Sequence, residues 1–155
     1  MGDVVGDGTF HICRHLKYAQ IYILVSTIRQ GDRIFTMPIW YSLMEKRREI
    51  DYNDMFSDLQ YYYNLYYNET LHIPRIRIDM ERATFNSIGK NFENSDVVFC
   101  RVHIIRGWTK WMKQYFGVRF YKDEEINCFF KALCVLTLIC ICFCAVDFFS
   151  GNHAR

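Results

Sequence analysis

The run from Val97 to Phe116 constrains the fold of this chain more than any other stretch. It is apolar on nearly every side, and a helix of that kind belongs in a protein core or in a membrane. Arg101 stands early in it. An unpaired buried charge is so costly that Arg101 needs a partner. Asn94-Ser95-Asp96 forms a polar break just before this run. Upstream of the break, Phe85, Ile88 and Phe92 fall on one side of an amphipathic segment that Asp79 is suited to cap. The pattern predicts two helices joined by a tight turn, the second of them central to the fold.

The rest of the chain reads as helical too. Ile12, Leu16, Ala19 and Ile23 recur at three- and four-residue spacing, which predicts a helix over His11 to Gln30 stopped by Gly31-Asp32. Pro38 suits the first turn of a second helix, with Thr36 as its cap and Trp40, Leu43 and Met44 on its apolar face. Glu45 to Arg48 is a solvated charge run. From Asp51 to Tyr67 a broad stripe of Tyr52, Met55, Phe56, Leu59, Tyr62, Tyr63 and Tyr66 predicts another helix. Its last residues carry more tyrosine than one buried face needs, so part of it is expected to form an exposed contact patch. Pro74 breaks the pattern, and Leu71 to Ile78 reads as an extended connection. The expected fold class is all-α.

Ala132 to Val146 carries no charge. Extended to residues 128–149, the segment would span about 33 Å as a helix, enough for a bilayer if Lys131 reaches back to the interface. Cys128, Ala132, Leu136, Ile139, Val146 and Phe149 would lie along it. The expected organisation is a helical bundle over 1–126, then a hydrophobic helix and short tail over 127–155. Two arrangements fit that helix: a tail anchor, or a segment folded back against the central helix. Arg106, Lys110 and Lys113 make a basic stripe at helical spacing, a solvated face unless a membrane lies beside it.

Bulk properties remove several classes of function. The net charge of +2 is too small to argue for nucleic acid. Cys128, Cys134, Cys140, Cys142 and Cys144 lie in one apolar segment, which suits small buried hydrophobes in a reducing compartment better than a disulfide framework. His11 and His15 are one helical turn apart, yet read as solvated, so no metal is expected. The polar opening from Met1 to Phe10 is unlike a signal peptide, and Asn68-Glu69-Thr70 is read as a surface loop. There is no phosphate-binding Gly-rich loop, nucleophile elbow or zinc-spaced ligand pair. The carboxylates sit in charge runs. Neither an enzyme nor a cofactor is expected.

Thr84-Phe85-Asn86-Ser87-Ile88, then Phe92, Ser95-Asp96 and Val98-Phe99-Cys100-Arg101, resemble without gaps the region around the Asn-Trp-Gly-Arg motif of the Bcl family of apoptosis regulators. Phe56-Ser57-Asp58-Leu59 is similar to a segment of that family's early helices. The resemblance covers about residues 41–105 and implies a survival-promoting, viral-type member. By carry-over, Tyr52, Phe56, Leu59, Phe85, Ile88, Phe92 and Arg101 would form a groove for the amphipathic death-motif helix of a pro-apoptotic partner, with Arg101 pairing to its aspartate. Val98 and Cys100 depart from the motif's Asn and Gly. The resemblance also implies residence on the cytosolic face of the outer mitochondrial or endoplasmic reticulum membrane, and a homodimer is left open. The competing expectation is a small tail-anchored protein with a structural or membrane-perturbing role.

Overall fold

The structure, a computed structural model, describes residues 2–10 and 17–139. It divides into two compact units, Met1–Val97 and Val98–Arg155. The first is built on strands β1 (Val4–Thr9), β2 (Gln20–Gln30), β3 (Arg33–Met44) and β4 (Arg75–Ile78), with helices α1 (Glu49–Tyr67) and α2 (Arg82–Asn91). The boundary falls inside β5 (Asp96–Phe99). The five strands form one mixed sheet in the order β3-β2-β1-β4-β5. β2 is antiparallel to both neighbours, and β1 runs parallel to β4.

The sheet overturns the all-α expectation. The Bcl-like helical bundle that the resemblance implied goes with it. The physical reason is clearest in β2. Gln20, Tyr22, Leu24 and Ser26 are buried while Ile21, Ile23, Val25 and Thr27 are only half covered. That period of two belongs to a strand, and the β-branched run favours one. Gly31-Asp32 does not end a helix. It is the two-residue turn between Gln30 and Arg33, with Gly31 at φ +60°, where a residue without a Cβ meets no steric cost. Pro38, expected at a helix start, lies in β3 beside an irregularity in the ladder at Leu24/Val25. An edge strand tolerates its missing N–H. Met44 on β3 is buried beneath α1 together with Gln20 and Tyr52.

Other expectations fare differently. α1 spans the tyrosine-rich stripe, and Asn68 closes it in the left-handed region at φ 53°, its N–H donating to Asn64 O at 2.7 Å. Tyr61, Tyr62, Tyr66 and Tyr67 are exposed, as the surplus of tyrosine suggested. The extended connection before residue 79 ends in β4. Val97, expected to open the central helix, belongs to β5, and α3 starts only at Arg101.

The first unit's core lies between the helices and one face of the sheet. Tyr52, Met55, Phe56 and Leu59 of α1 and Ile88 of α2 are buried with Val4, Tyr22, Leu24, Ile76 and Ile78. Phe56 meets Phe92 edge to face, with ring centroids 5.5 Å apart.

The second unit comprises α3 (Arg101–Phe116), α4 (Arg119–Lys122) and α5 (Glu124–Ile139). Among the described residues no helix is long and apolar enough to cross a membrane. α5 opens with Glu124 and Glu125 and carries Lys131. The expected spanning helix is corrected over its described part: Cys128, Ala132 and Leu136 are exposed on α5, whose described residues run to Ile139. Val146 and Phe149 lie outside the described residues, as do His11, His15 and the cysteines at 13, 140, 142 and 144.

Truncating Phe56 to Ala is expected to cost about 3–5 kcal/mol in urea unfolding, the range for a fully buried aromatic. A second expectation concerns pH. Glu49 of α1 accepts hydrogen bonds from Lys90 and Asn86 of α2, and these, the lysine first, hold its carboxyl below the usual range. A lowered folded-state value stabilises fully above the unfolded carboxylate range and is lost as pH falls through the folded value. Glu49→Gln should therefore destabilise the protein at pH 7 and flatten the acid limb of thermal melts taken between pH 7 and 3.

Candidate functional site

β1 and β4 are parallel neighbours whose onward connections run to opposite sides. From β1 the chain turns to β2 and β3, and from β4 it passes through α2 to β5 on the other side. In open α/β sheets the crevice beyond the carboxyl ends of such a strand pair is where ligands bind. The register pairs Val4 with Ile76 and Val5 with Arg77. Continued by two residues, it brings Asp79, the first residue past β4, level with Asp7 on β1. Val4, Gly6, Ile76 and Ile78 point into the core. By alternation, Asp7 and Asp79 share the opposite face. Asp7 is exposed, whereas Asp79 is half-buried with Oδ1 fully enclosed.

The segment beneath Asp7 is shaped by what lies on its inner side. Asp7 stands between Gly6 and Gly8. A methyl group on Gly6 would run into Tyr22 Oη, and one on Gly8 into Gln20 Oε1. The glycines are there because two side chains of β2 cross under β1 at this point. Tyr22 is 1% exposed and its hydroxyl has no hydrogen-bond partner among the described residues. Burial raises its pKa well above the ordinary value. The charges of Tyr52, Asp79, Glu81 and Asp7 raise it further. The same interactions place Asp7, Asp79 and Glu81 within electrostatic reach of one buried phenol.

A chain of hydrogen bonds fixes the third carboxylate. Gln20 Nε2 donates to Tyr52 Oη at 2.7 Å and lies 3.2 Å from Met44 Sδ. Tyr52 Oη donates to Glu81 Oε2 at 2.5 Å, and Thr84 Oγ1 donates to the same oxygen at 3.4 Å. Glu81 is the N-cap residue of α2, where the helix dipole favours a negative charge. Burial, then the bond to Glu81, pushes the Tyr52 pKa far up. Both phenols therefore stay protonated across the physiological range, and Tyr52 serves as a donor to Glu81.

Among the described residues no group of three or more His, Cys, Asp or Glu side chains is placed to enclose a metal ion. Two adjacent carboxylates nevertheless suit Mg²⁺, which keeps several waters and is held by one or two carboxylates together with substrate phosphate oxygens.

The residues expected to line a groove are placed otherwise. Tyr52, Phe56, Leu59, Ile88 and Phe92 are buried in the first unit, and Phe85 is half-buried. Tyr52 is the only one of them in the hydrogen-bonded chain just described. Arg101 belongs to the second unit, where Nε donates to Thr137 Oγ1 at 3.0 Å and Nη2 to Cys134 O at 3.4 Å. The partner required by its position is thus supplied from α5. Asp7 and Asp79 did not stand out in the sequence as a pair. The available signals were an aspartate between two glycines and an aspartate closing the short alternating run Arg75-Ile76-Arg77-Ile78.

Compared with known proteins, the chain matches no family model and no curated protein sequence.

The close approach of Tyr22 to β1 sets up a double-mutant test. Gly6→Ala should cost about 1–3 kcal/mol, as overpacking of a filled core does. Tyr22→Phe should be nearly neutral, because the hydroxyl removed has no partner in the described structure. In the Tyr22→Phe background the cost of Gly6→Ala should fall, and urea unfolding of the four proteins measures the coupling.

Proposed function

We propose that the carboxyl edge of β1 and β4 is a divalent-cation-assisted site for phosphoryl transfer on the phosphodiester backbone of a polynucleotide. The observation that carries this is the parallel pairing of β1 with β4, whose register, continued past Val5 and Arg77, sets Asp7 level with Asp79 where the sheet's connections diverge. Asp7 and Asp79 would each offer carboxylate oxygens to a divalent cation such as Mg²⁺, which would supply Lewis-acid polarisation of a phosphoryl oxygen and a more acidic bound water. Glu81, which acts on the same buried phenol as the two aspartates, is held by Tyr52 and Thr84 and needs no adjustment as the substrate arrives. Tyr22, a neutral phenol enclosed beneath the carboxylates, keeps this edge of β1 rigid.

A polymer fits better than a small molecule. Asp7 is exposed and stands on an open sheet face, whereas small ligands are mostly taken up in concave, largely apolar pockets. Arg77 is exposed on the same face of β4, in register with Val5, and can meet a phosphate flanking the scissile one. This proposal replaces the expectations of no enzyme and no nucleic acid. Both followed from motifs and net charge, neither of which registers two carboxylates so far apart in sequence.

The test uses the full chain, Mn²⁺ titration followed by calorimetry, and cleavage of a labelled oligonucleotide in Mg²⁺. Asp7→Asn and Asp79→Asn should each abolish saturable Mn²⁺ binding and lower cleavage by at least about a hundredfold, the scale of losing a main electrostatic contact in a reaction site. Mn²⁺ binding and cleavage that persist unchanged in both variants would end the proposal.

A further inference from the structure

The core of the first unit ends before two of its elements do. Along β2 the inward residues Gln20, Tyr22, Leu24 and Ser26 are buried, but Ile28, next in that alternation, is 45% exposed. Its ladder partner Phe35 is exposed, and so is Met37, which pairs with buried Ser26 and therefore shares its face. The ladder with β1 ends at Val4 and Ser26, beyond which Thr27 N–H donates to Asp3 O at 3.0 Å. From Ile28 to Phe35 the hairpin is a two-stranded ribbon with no third strand among the described residues.

α1 overhangs in the same direction. Tyr52 packs on Tyr22 near the start of β2, and Tyr62 packs on Trp40, whose ladder partner is Leu24. One turn further, Tyr66 continues the inward stripe of Met55, Leu59 and Tyr62 at helical spacing, yet it is 77% exposed. Helix end and ribbon thus leave one end of the core layer open, faced by Ile28, Phe35, Met37, Tyr62 and Tyr66. The exposed parts of these five side chains amount to roughly 500–600 Å², the upper end of what a free monomer carries in one patch. A two-stranded ribbon on its own is also barely stable in water.

We infer that a second copy of this chain covers the open end, the ribbon of each copy lying against the α1 end of the other. Area is the first argument. A standard interface buries about 800 Å² per partner, and the five side chains together with Gln30 and Arg33 at the ribbon's tip approach that. Charge is the second. α1 holds no Lys or Arg, and Asp54, Asp58 and Glu69 are exposed on and just after it. The ribbon's Arg29 and Arg33 are exposed and in no ion pair among the described residues. A two-fold axis brings these opposite sets together twice. Pro38 interrupts the edge of β3, so the ribbon offers its face. That face is opposite the one carrying Asp7 and Asp79, so pairing leaves the carboxylates open and needs nothing from them.

The experiment is sedimentation velocity of the full chain over a concentration series. A reversible dimer is expected. Phe35→Asp with Met37→Asp should raise its dissociation constant at least about a hundredfold, the scale of losing central apolar anchors. Tyr66→Lys, on the other element, should weaken it in the same direction. All three side chains are exposed, so the variants should keep the wild-type circular dichroism spectrum. Leu136→Asp, on the exposed side of α5, should leave the dimer unchanged. A wild-type chain that stays monomeric throughout would overturn the inference and leave the patch to a partner of another kind. A dimer unmoved by the ribbon and Tyr66 variants, or one dissolved by Leu136→Asp, would overturn it too.

Discussion

The hydroxyl of Tyr52 is the point through which the first unit is joined. It accepts from Gln20 on β2 and donates to Glu81 at the start of α2, while its own ring rises from α1. One oxygen, on a fully buried side chain, thereby ties a strand and two helices together. Leaving any member unpaired would cost about 1–3 kcal/mol, so the three elements hold one another in register. The arrangement also makes Glu81 an anion of fixed direction. Edge-on packing of Tyr22 against Tyr52, with centroids 5.3 Å apart, carries the constraint on to β1 and the glycines around Asp7.

The two units use charge in opposite ways. In the first, carboxylates from distant parts of the sequence gather at one sheet edge around a neutral phenol. In the second, cations accumulate along a short stretch with no carboxylate among them. Residues 1–97 carry 11 Lys and Arg against 13 Asp and Glu, and residues 98–155 carry 8 against 4, so the small net charge of +2 conceals a basic second unit. A whole-chain charge therefore says little about what either unit attracts; the local field decides.

Where the pattern is local and unopposed, the sequence was legible. The stripe from Tyr52 to Tyr66 became α1, Leu71 to Ile78 became an extended connection ending in β4, and the tyrosine surplus became exposed rings. Where two periods compete, it misled. Ile12, Leu16, Ala19 and Ile23 fit a helical spacing, but Tyr22, Leu24 and Ser26 alternate, and the sheet takes the alternating set. Gly31-Asp32 and Pro38 are helix-breaking and turn-forming residues alike, and only the β-branched runs around them decide which. The carboxylate pair was hidden for a different reason. Asp7 and Asp79 are brought level only by continuing the parallel register of β1 and β4, a non-local pairing with no signature in spacing. Arg101 needed a partner, as its surroundings implied, and the structure supplies Thr137 and Cys134 from the same chain.

Pro38 has a consequence beyond its place in the ladder. β3 is the outer strand on its side of the sheet, and an outer strand presents a row of donors and acceptors on which another chain can build. With no N–H at residue 38 and a ladder irregularity beside it, that row is interrupted near its middle. Ile34, Phe35, Met37, Tyr41 and Leu43 are exposed along this strand and would otherwise invite edge-to-edge assembly. A residue that obscured the strand in the sequence is thus of the kind that blunts a sheet edge against a further strand.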